Sequence, residues 1–305
     1  MRRAIRVFTL AAFALAFAWV SGHTEATVVQ RINGIGIVDY SHKPTFKVGD
    51  WVRYRMTGES QMGMRDDYEL TLVIAGEEEW WGEECFWVET WTDAKGRGPE
   101  TAATLMSYAI FEDSAAIQHL QSYQRKSISG IDMNGEPIEE VTRPAASALK
   151  TRTAYQRPLM WDVDTLEADT VMTPAGTFQT RKISIKQGTA VTTNMPDSTL
   201  YTEVREDRLT WFSLDVPITH IAREDVENTI ARRAWMLGRS AEGSPLRLKE
   251  RGVGSARLIA MGHGMAGRML KPERQKSLAQ WRAEAAKRHA PAAASAPART
   301  GTKRK

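Results

Sequence analysis

The residues of this 305-residue chain that could do chemistry are few and scattered. Six histidines occur, His23, His42, His119, His220, His263 and His289, and the four away from the two ends show no i, i+2 or i, i+4 spacing. With Cys85 as the single cysteine, no zinc-type ligand set can be assembled from these positions. His220, near Asp215 and Glu224, is the one place where an imidazole and carboxylates could come together in space as a hydrolytic site. Gly262-His263-Gly264-Met265-Ala266-Gly267 matches G-x-G-x-x-G after an apolar run, but a dinucleotide site needs a helix returning to a second parallel strand with an acidic end. Pro272 interrupts here, so the glycines read as a turn that closes a domain. No G-x-S-x-G elbow and no Walker-type loop is present. Glu77–Glu84 is acidic but broken by Trp80, Trp81 and Gly82, which describes a solvated hairpin loop rather than a cation site. Cys85 lies in the apolar run Cys85-Phe86-Trp87-Val88 with no basic neighbour to lower its pKa, the setting of a buried structural thiol. The sequence thus assigns no catalytic residue, no metal and no cofactor, and the expectation is a protein that is not an enzyme.

Aromatic side chains are the class that stands out. Trp51, Trp80, Trp81, Trp87 and Trp91 fall within one short region. Cys85, Trp87, Glu89 and Trp91 share one face of a strand and Phe86 and Val88 the other, so both faces carry apolar bulk. Such a strand packs on a covering layer with one face and lines a cavity with the other, and ligand pockets are rich in aromatics. Trp51, Tyr54, Trp87, Trp91 and Phe178 are the expected lining residues; the competing reading is a tryptophan-rich core.

The elements that must position these residues are strands. Val52, Tyr54 and Met56 alternate with Arg53 and Arg55; Tyr68, Leu70, Leu72 and Ile74 alternate with polar or β-branched residues; Cys85 to Thr92 forms a third run. Closely spaced turn signals make this an antiparallel meander. Thr101 to Phe111 reads as a fourth strand, Asp113 to Ser127 as a short helix or bent strand, and Asn134-Gly135 as a hairpin turn. Arg31 to Val38 is a short candidate first strand, and Pro144 to Leu159 a helix or irregular cover. Thr229 to Leu237 favours a strand over a helix, Ser255 to Met261 a last strand, and Pro272 to Arg288 a polar helix with proline at its start.

Between these lies Asp169 to Glu224. Pro174-Ala175-Gly176 has the chemistry of a tight turn between two strands. Ile183 and Ile185 alternate with Lys182, Ser184 and Lys186; Phe178 falls on the other parity, which predicts a bulge or twist near Thr180. Leu200 to Arg205 alternates again, Glu206-Asp207-Arg208 reads as a polar turn, and Leu209 to Leu214 as the returning strand. Pro217 then starts a strand or sits at an edge. The Pro174–Phe178 turn followed by Trp211-Phe212-Ser213-Leu214-Asp215-Val216-Pro217-Ile218 resembles exported bacterial β proteins of uncharacterised type, whose fold is similar to the lipoprotein-carrier (LolA/LolB-like) half-barrel. The resemblance extends over Lys47 to Gly264. It implies an incomplete antiparallel barrel wrapped by a few helices around an apolar concavity, and it brings no catalytic residues.

The N-terminus has the form of a secretory signal peptide: a basic Met1–Arg6, an uncharged apolar Val7–Val20, and small residues at the peptidase positions of Thr24-Glu25-Ala26. Cleavage after Ala26 is expected, with an uncleaved anchor as the alternative. No cysteine follows the apolar stretch, which excludes lipid modification there. The formal charge of +4 is uneven: from Gly267 onward eleven Lys/Arg face two Glu, a net +9, and residues 1–26 add +2, leaving −7 for 27–266. The basic balance belongs to the tail and is not a nucleic-acid signal. The expected organisation is a signal peptide (1–26), a β-rich domain (27–266), a C-terminal helix (267–289) and a disordered basic tail (290–305) able to touch an anionic envelope surface. A periplasmic or secreted protein that holds a hydrophobic or lipid-type ligand is the leading expectation. An envelope protein–protein interaction module with a solid core is the alternative.

Overall fold

Alternating apolar and polar residues produce strands along nearly the whole chain. The computed structural model describes His42 and residues 44–61, 63, 65–94, 100–113, 122–131, 136–141, 154–195, 197–236 and 238–289. Its strands are β1 (Trp51–Ser60), β2 (Arg65–Trp80), β3 (Glu83–Ala94), β4 (Glu100–Ser107), β5 (Gln124–Ile131), β6 (Pro137–Val141), β7 (Ala154–Thr173), β8 (Gly176–Asn194), β9 (Ser198–Phe212), β10 (Ile221–Met236) and β11 (Arg247–Gly262); one helix, α1 (Leu278–His289), follows. All eleven pair antiparallel in one curved open sheet of order β6-β5-β4-β3-β2-β1-β11-β10-β9-β8-β7. Two meanders, β1 to β6 and β7 to β11, are therefore joined edge to edge at β1 and β11. Open sheets of this width curl rather than stay flat. The curl is visible here because β7 meets residues of β9, β10 and β11, two to four places away in the sheet.

The mainly β architecture, the first meander, the Pro174-Ala175 turn and the strand over 229–236 agree with the sequence reading. Several local expectations do not. Glu206-Asp207-Arg208 runs through the middle of β9 rather than turning. Residues two apart in a strand face the same way, so Glu206 and Arg208 pair with each other and the triplet stays extended. The bulge expected near Thr180 lies on the partner strand, between Thr165 and Ala168 of β7, while β8 keeps unbroken register with β9. The fourth strand ends at Ser107, whose Oγ accepts from the backbone N–H of Ala109 and opens a 3₁₀ turn over Tyr108–Glu112. β9 stops at Phe212, and Pro217 sits in the following turn. The C-terminal helix is split into a 3₁₀ turn, Pro272–Arg274, and α1. Residues 1–41, 142–153 and 290–305 and the Asn134-Gly135 turn lie outside the described residues, and with them the expected signal peptide, first strand and tail; of the helix or irregular cover expected over 144–159, the described residues from Ala154 onward are instead extended in β7.

Two apolar clusters occupy opposite faces of β3. Phe86 and Val88 join Val52, Tyr54, Leu70, Leu72, Ile74 and Leu258 in the larger one, with Val216 and Ile218 from the β9–β10 turn. Cys85 and Trp87 join Ala103, Leu105 and Ile128 in the smaller one, closed by Met269 and Leu270. Burial, with the Glu83 carboxylate nearby, pushes the Cys85 thiol up to about 12, and the thiol stays a packing group.

Glu89 fastens the C-terminal segment to this second face. Its fully buried carboxylate accepts the backbone N–H groups of Arg268 (2.5 Å), Met269 (2.9 Å) and Leu270 (2.7 Å). Burial raises the Glu89 pKa and those three donors only partly offset it. The acidic stretch read as a solvated loop is the rest of this dock. Glu77 accepts from Tyr108 (2.6 Å) and from the Leu278 N–H (2.7 Å); Glu78 pairs with Lys126 (3.0 Å) and Arg274 (2.8 Å). Only Trp81 and Gly82 form the turn. Burial pushes the Glu78 carboxyl up, but bonds from Arg274 and Lys126 outweigh it and hold it below the usual range.

Glu89→Ala leaves three buried N–H groups without an acceptor, each costing roughly 1–3 kcal/mol. Urea unfolding should show a loss of ~3 kcal/mol or more, with faster proteolysis within 267–289; a loss below ~1 kcal/mol would mean that the segment is held elsewhere. The pH profile should have two opposed limbs. Glu78, with a folded pKa below 4.5, contributes stability that is present above 4.5 and lost as pH falls through the lowered value. Glu89, with a folded pKa above 4.5, contributes stability that declines as pH climbs from 4.5 through the raised value. Melting of Glu78→Gln against wild type should flatten the acid limb alone.

Candidate functional site

The five aromatics expected to line a cavity are placed in packed surroundings on two faces. Tyr54 and Phe178 belong to the larger core and Trp87 to the smaller one. The Tyr54 hydroxyl bonds Thr219 Oγ1 (2.5 Å) and donates to the Ile221 carbonyl (2.7 Å), and burial raises its pKa. Trp91 lies beneath the Arg268 guanidinium, 4.2 Å from its ring centroid. Trp51 stacks with Arg53 and lies against Gly262, where a Cβ would come within 2.9 Å of the indole nitrogen. The three glycines of the G-x-G-x-x-G match are explained the same way. Gly264 has φ 83° beside Gly49 at the end of the β1–β11 pairing, and a Cβ on Gly267 would stand 2.7 Å from Glu89 Oε1. His220 is buried between the rings of Phe212 and His42, 5.4 and 5.9 Å away. Of its expected carboxylates, Glu224 accepts from Thr210 (3.0 Å) and Asp215 is exposed on the turn. Among the described residues no group of three His, Cys, Asp or Glu could hold a metal ion.

Two adjoining clefts lie on one face of the second meander, and neither is lined by any of those five aromatics. Strand register explains them. Lys182, Trp211, Arg223, Arg257 and Arg55 form one cross-strand row over β8, β9, β10, β11 and β1. Ser184, Leu209, Asp225 and Ser255 form the next row, and Lys186, Asp207, Glu227 and Val253 the one after. The first cleft, about 180 Å³, is enclosed by Trp211, Arg223 and Arg257 below and by Asp169–Thr173 of β7 above. The second is a shallower trough of about 500 Å³ over Ser184, Leu209 and Val253, edged by Asp207, Asp225 and Glu227.

The tip of the β7–β8 hairpin is held over the row by Asp169. Its Oδ2 accepts the Trp211 indole N–H (3.0 Å) and lies 3.7 Å from Lys182 Nζ, while Thr180 Oγ1 donates to its carbonyl (2.8 Å). The Trp211 and Thr170 hydrogen bonds, with Lys182, hold this carboxyl below its ordinary range. A strained turn follows β9, starting two residues beyond Trp211. That turn carries Ile218 at φ 67° and His220 at φ 54°, backbone strain kept in place by the buried Tyr54–Thr219 contact.

On the opposite face of β9, Arg208 and Glu206 are almost fully buried. Glu206 Oε1 accepts from Arg208 and from Gln187 (2.6 Å), and Arg208 Nε lies 3.5 Å from Glu224 Oε1. Glu224 follows on β10, so the carboxylates flank the guanidinium from two strands. The group is a desolvated ion pair, in which the cost of burying the charges offsets much of the Coulombic gain.

No family model and no curated protein matches the chain. Among solved structures it is similar to a proposed lipoprotein from Parabacteroides distasonis, at 10% identity and TM-score 0.30, covering 74% of this chain and 99% of that one. A proposed exported protein with a YmcC-like fold from Bacteroides fragilis stands at 12% identity and TM-score 0.30, covering 73% and 99%. Neither carries the description of a LolA/LolB-type carrier. Among the described residues no helix is long and apolar enough to cross a membrane.

Breaking one side of the buried pair should cost more than removing both. Arg208→Met strands Glu206 without its cation and should cost ~3–5 kcal/mol. Adding Glu206→Gln in the same chain should recover a large part of that loss in a double-mutant cycle of urea midpoints. Strict additivity would show that the two side chains do not act as a pair.

Proposed function

We propose that this is an exported, non-enzymatic protein of the cell envelope that holds a hydrophobic or lipid-type ligand against the open sheet face beside Trp211. The single observation that carries the reading is the exposure of apolar side chains along that face. Leu209 and Val253 form the floor of the trough, Met172 and Trp211 adjoin it, and Val253 and Met172 are 49% and 83% exposed. The trough's ~500 Å³ falls in the size range of small-molecule sites. Binding here is desolvation of the ligand's apolar part, worth about 25 cal/mol per Å² buried, with no covalent step. The basic n-region and apolar stretch at the N-terminus support export.

Native mass spectrometry of mature protein purified from the envelope without detergent tests this reading. A stoichiometric apolar adduct, recovered by organic extraction after unfolding, is the expected result. Leu209→Glu, which puts a charge on the trough floor, should lower adduct occupancy by at least about tenfold, the ~1.4 kcal/mol cost of even a partly exposed charge against an apolar chain. A clean apo mass in wild type together with no uptake of an added fluorescent fatty acid would sink the carrier reading.

A further inference from the structure

The cross-strand row under the β7 tip has an excess of positive charge that the protein does not neutralise. Arg223, Arg257 and Arg55 occupy directly opposed positions on β10, β11 and β1. Like charges placed opposite one another on a sheet face are destabilising. The two outer guanidiniums are each held by a carboxylate on their own or the next strand. Arg55 binds Asp67 through Nε (2.9 Å) and Nη2 (2.7 Å), and Arg223 binds Asp225 through Nε (3.2 Å) and Nη2 (2.5 Å). Lys182, at the far end, has Asp169 at 3.7 Å. Arg257, the middle cation, has no carboxylate partner among the described residues; it lines the cleft with Arg223, Trp211 and the hydroxyl-bearing Thr170 and Thr173.

The surroundings favour one orientation of a guest. Arg223 lies over the Trp211 ring at 4.4 Å and is clamped by Asp225, so its planar group is already ordered. Asp169, the one carboxylate in the cleft lining, is occupied by Trp211 and Lys182. The free guanidinium therefore faces a half-enclosed space in which an anion would meet Arg257, since the Thr170 and Thr173 hydroxyls already donate to Gln179 and to the Gly176 carbonyl. Immediately along the strands begins the apolar floor of Leu209 and Val253. We infer that the cleft is a subsite for the anionic head of an amphipathic ligand, a carboxylate or phosphate group bound by Arg257, with its apolar chain laid along the trough. This inference rests on the ligand-binding reading above and names the ligand's charge and direction. Arg suits the role because its fork of donors matches a carboxylate or phosphate bidentately, and such charge-assisted bonds are roughly twice as strong as neutral ones.

The test uses the mature chain with three probes: a dansyl-labelled undecanoic acid, its methyl ester and inorganic phosphate. Binding of the acid about tenfold tighter than the ester, lost in Arg257→Gln and kept in Arg257→Lys, is the expected result, the size of a charged hydrogen bond. Arg257 is exposed, and its removal relieves a like-charge row, so the Gln variant should fold with unchanged or higher stability. Equal binding of acid and ester in both wild type and variant would overturn the anion subsite and leave the hydrophobic-ligand reading standing. Phosphate that displaces the acid at similar concentration, with no ester binding, would overturn the amphipathic assignment in favour of a free anion. Failure of both dansyl probes to bind would remove the ligand reading and this inference together.

Discussion

Everything in this fold depends on the pairing of β1 with β11. Each meander is built from local hairpins, but Trp51–Ser60 meets residues 252–262 of β11 across about two hundred residues of chain. That contact must overcome a loop-closure entropy that local hairpins avoid. The end of the seam is accordingly reinforced. Gly49 and Gly264 come close enough that a Cβ on Gly49 would stand 3.2 Å from the Gly264 nitrogen, Met265 N–H donates to the Gly49 carbonyl (3.0 Å), and Asp50 bonds His263 (2.6 Å). The same stretch then delivers Gly267 and Arg268–Leu270 to Glu89. One glycine-rich passage thus joins the two meanders and docks the C-terminal segment.

The two faces of the joined sheet are closed by different means. One is filled by side chains from β1, β2, β3 and β11 and by the strained turn after β9, so that Tyr54 spends its hydroxyl on Thr219 and Ile221. The other is covered on the first meander by the C-terminal segment and on the second by the tip of the β7–β8 hairpin. Between these covers the row through Arg223, Arg257 and Arg55 stays accessible. The aromatic-rich strands were natural places to look for a cavity, yet aromatic area is also the most effective filler of a core. Here its partners are Leu, Ile and the guanidiniums of Arg268 and Arg274.

Legibility in the sequence followed the range of the interaction. The β1–β3 meander and the Pro174-Ala175 turn rest on alternation and turn chemistry within a few residues, and both were readable. Glu206-Asp207-Arg208 was misleading because a charged triplet looks like a turn until Glu224, from another strand, supplies a second carboxylate to Arg208. The acidic stretch after Gly76 looked solvated because its cations, Lys126 and Arg274, lie 48 and 196 residues further on. The cleft was invisible for the same reason. Arg55, Arg223 and Arg257 become neighbours only through the seam and the register of β10 with β11. A partial signal existed in β1 alone, where Arg53 and Arg55 alternate with Val52, Tyr54 and Met56, the pattern of a sheet face that carries charge.

An open sheet must also deal with its two edges, which present unpaired backbone groups to any passing strand. Both edges here carry the usual deterrents. The outermost β6 contains Pro137, Glu139 and Glu140, and β7 displays Asp162, Asp164 and Glu167 at exposed positions with a bulge between Thr165 and Ala168. Proline removes a ladder donor, and a run of carboxylates opposes pairing with a like-charged strand. Backbone-mediated strand addition is thus disfavoured by composition at both sides. The face is the opposite case: Arg257 stands without a carboxylate in a row of cations, and the apolar floor of Leu209 and Val253 is left open beside it. A surface selected only for solubility would pair Arg257 with a carboxylate and cover Leu209 and Val253. The arrangement costs like-charge repulsion along three strands, and the proposed ligand, an anion with an apolar chain, would remove both that cost and the exposed apolar area in a single step.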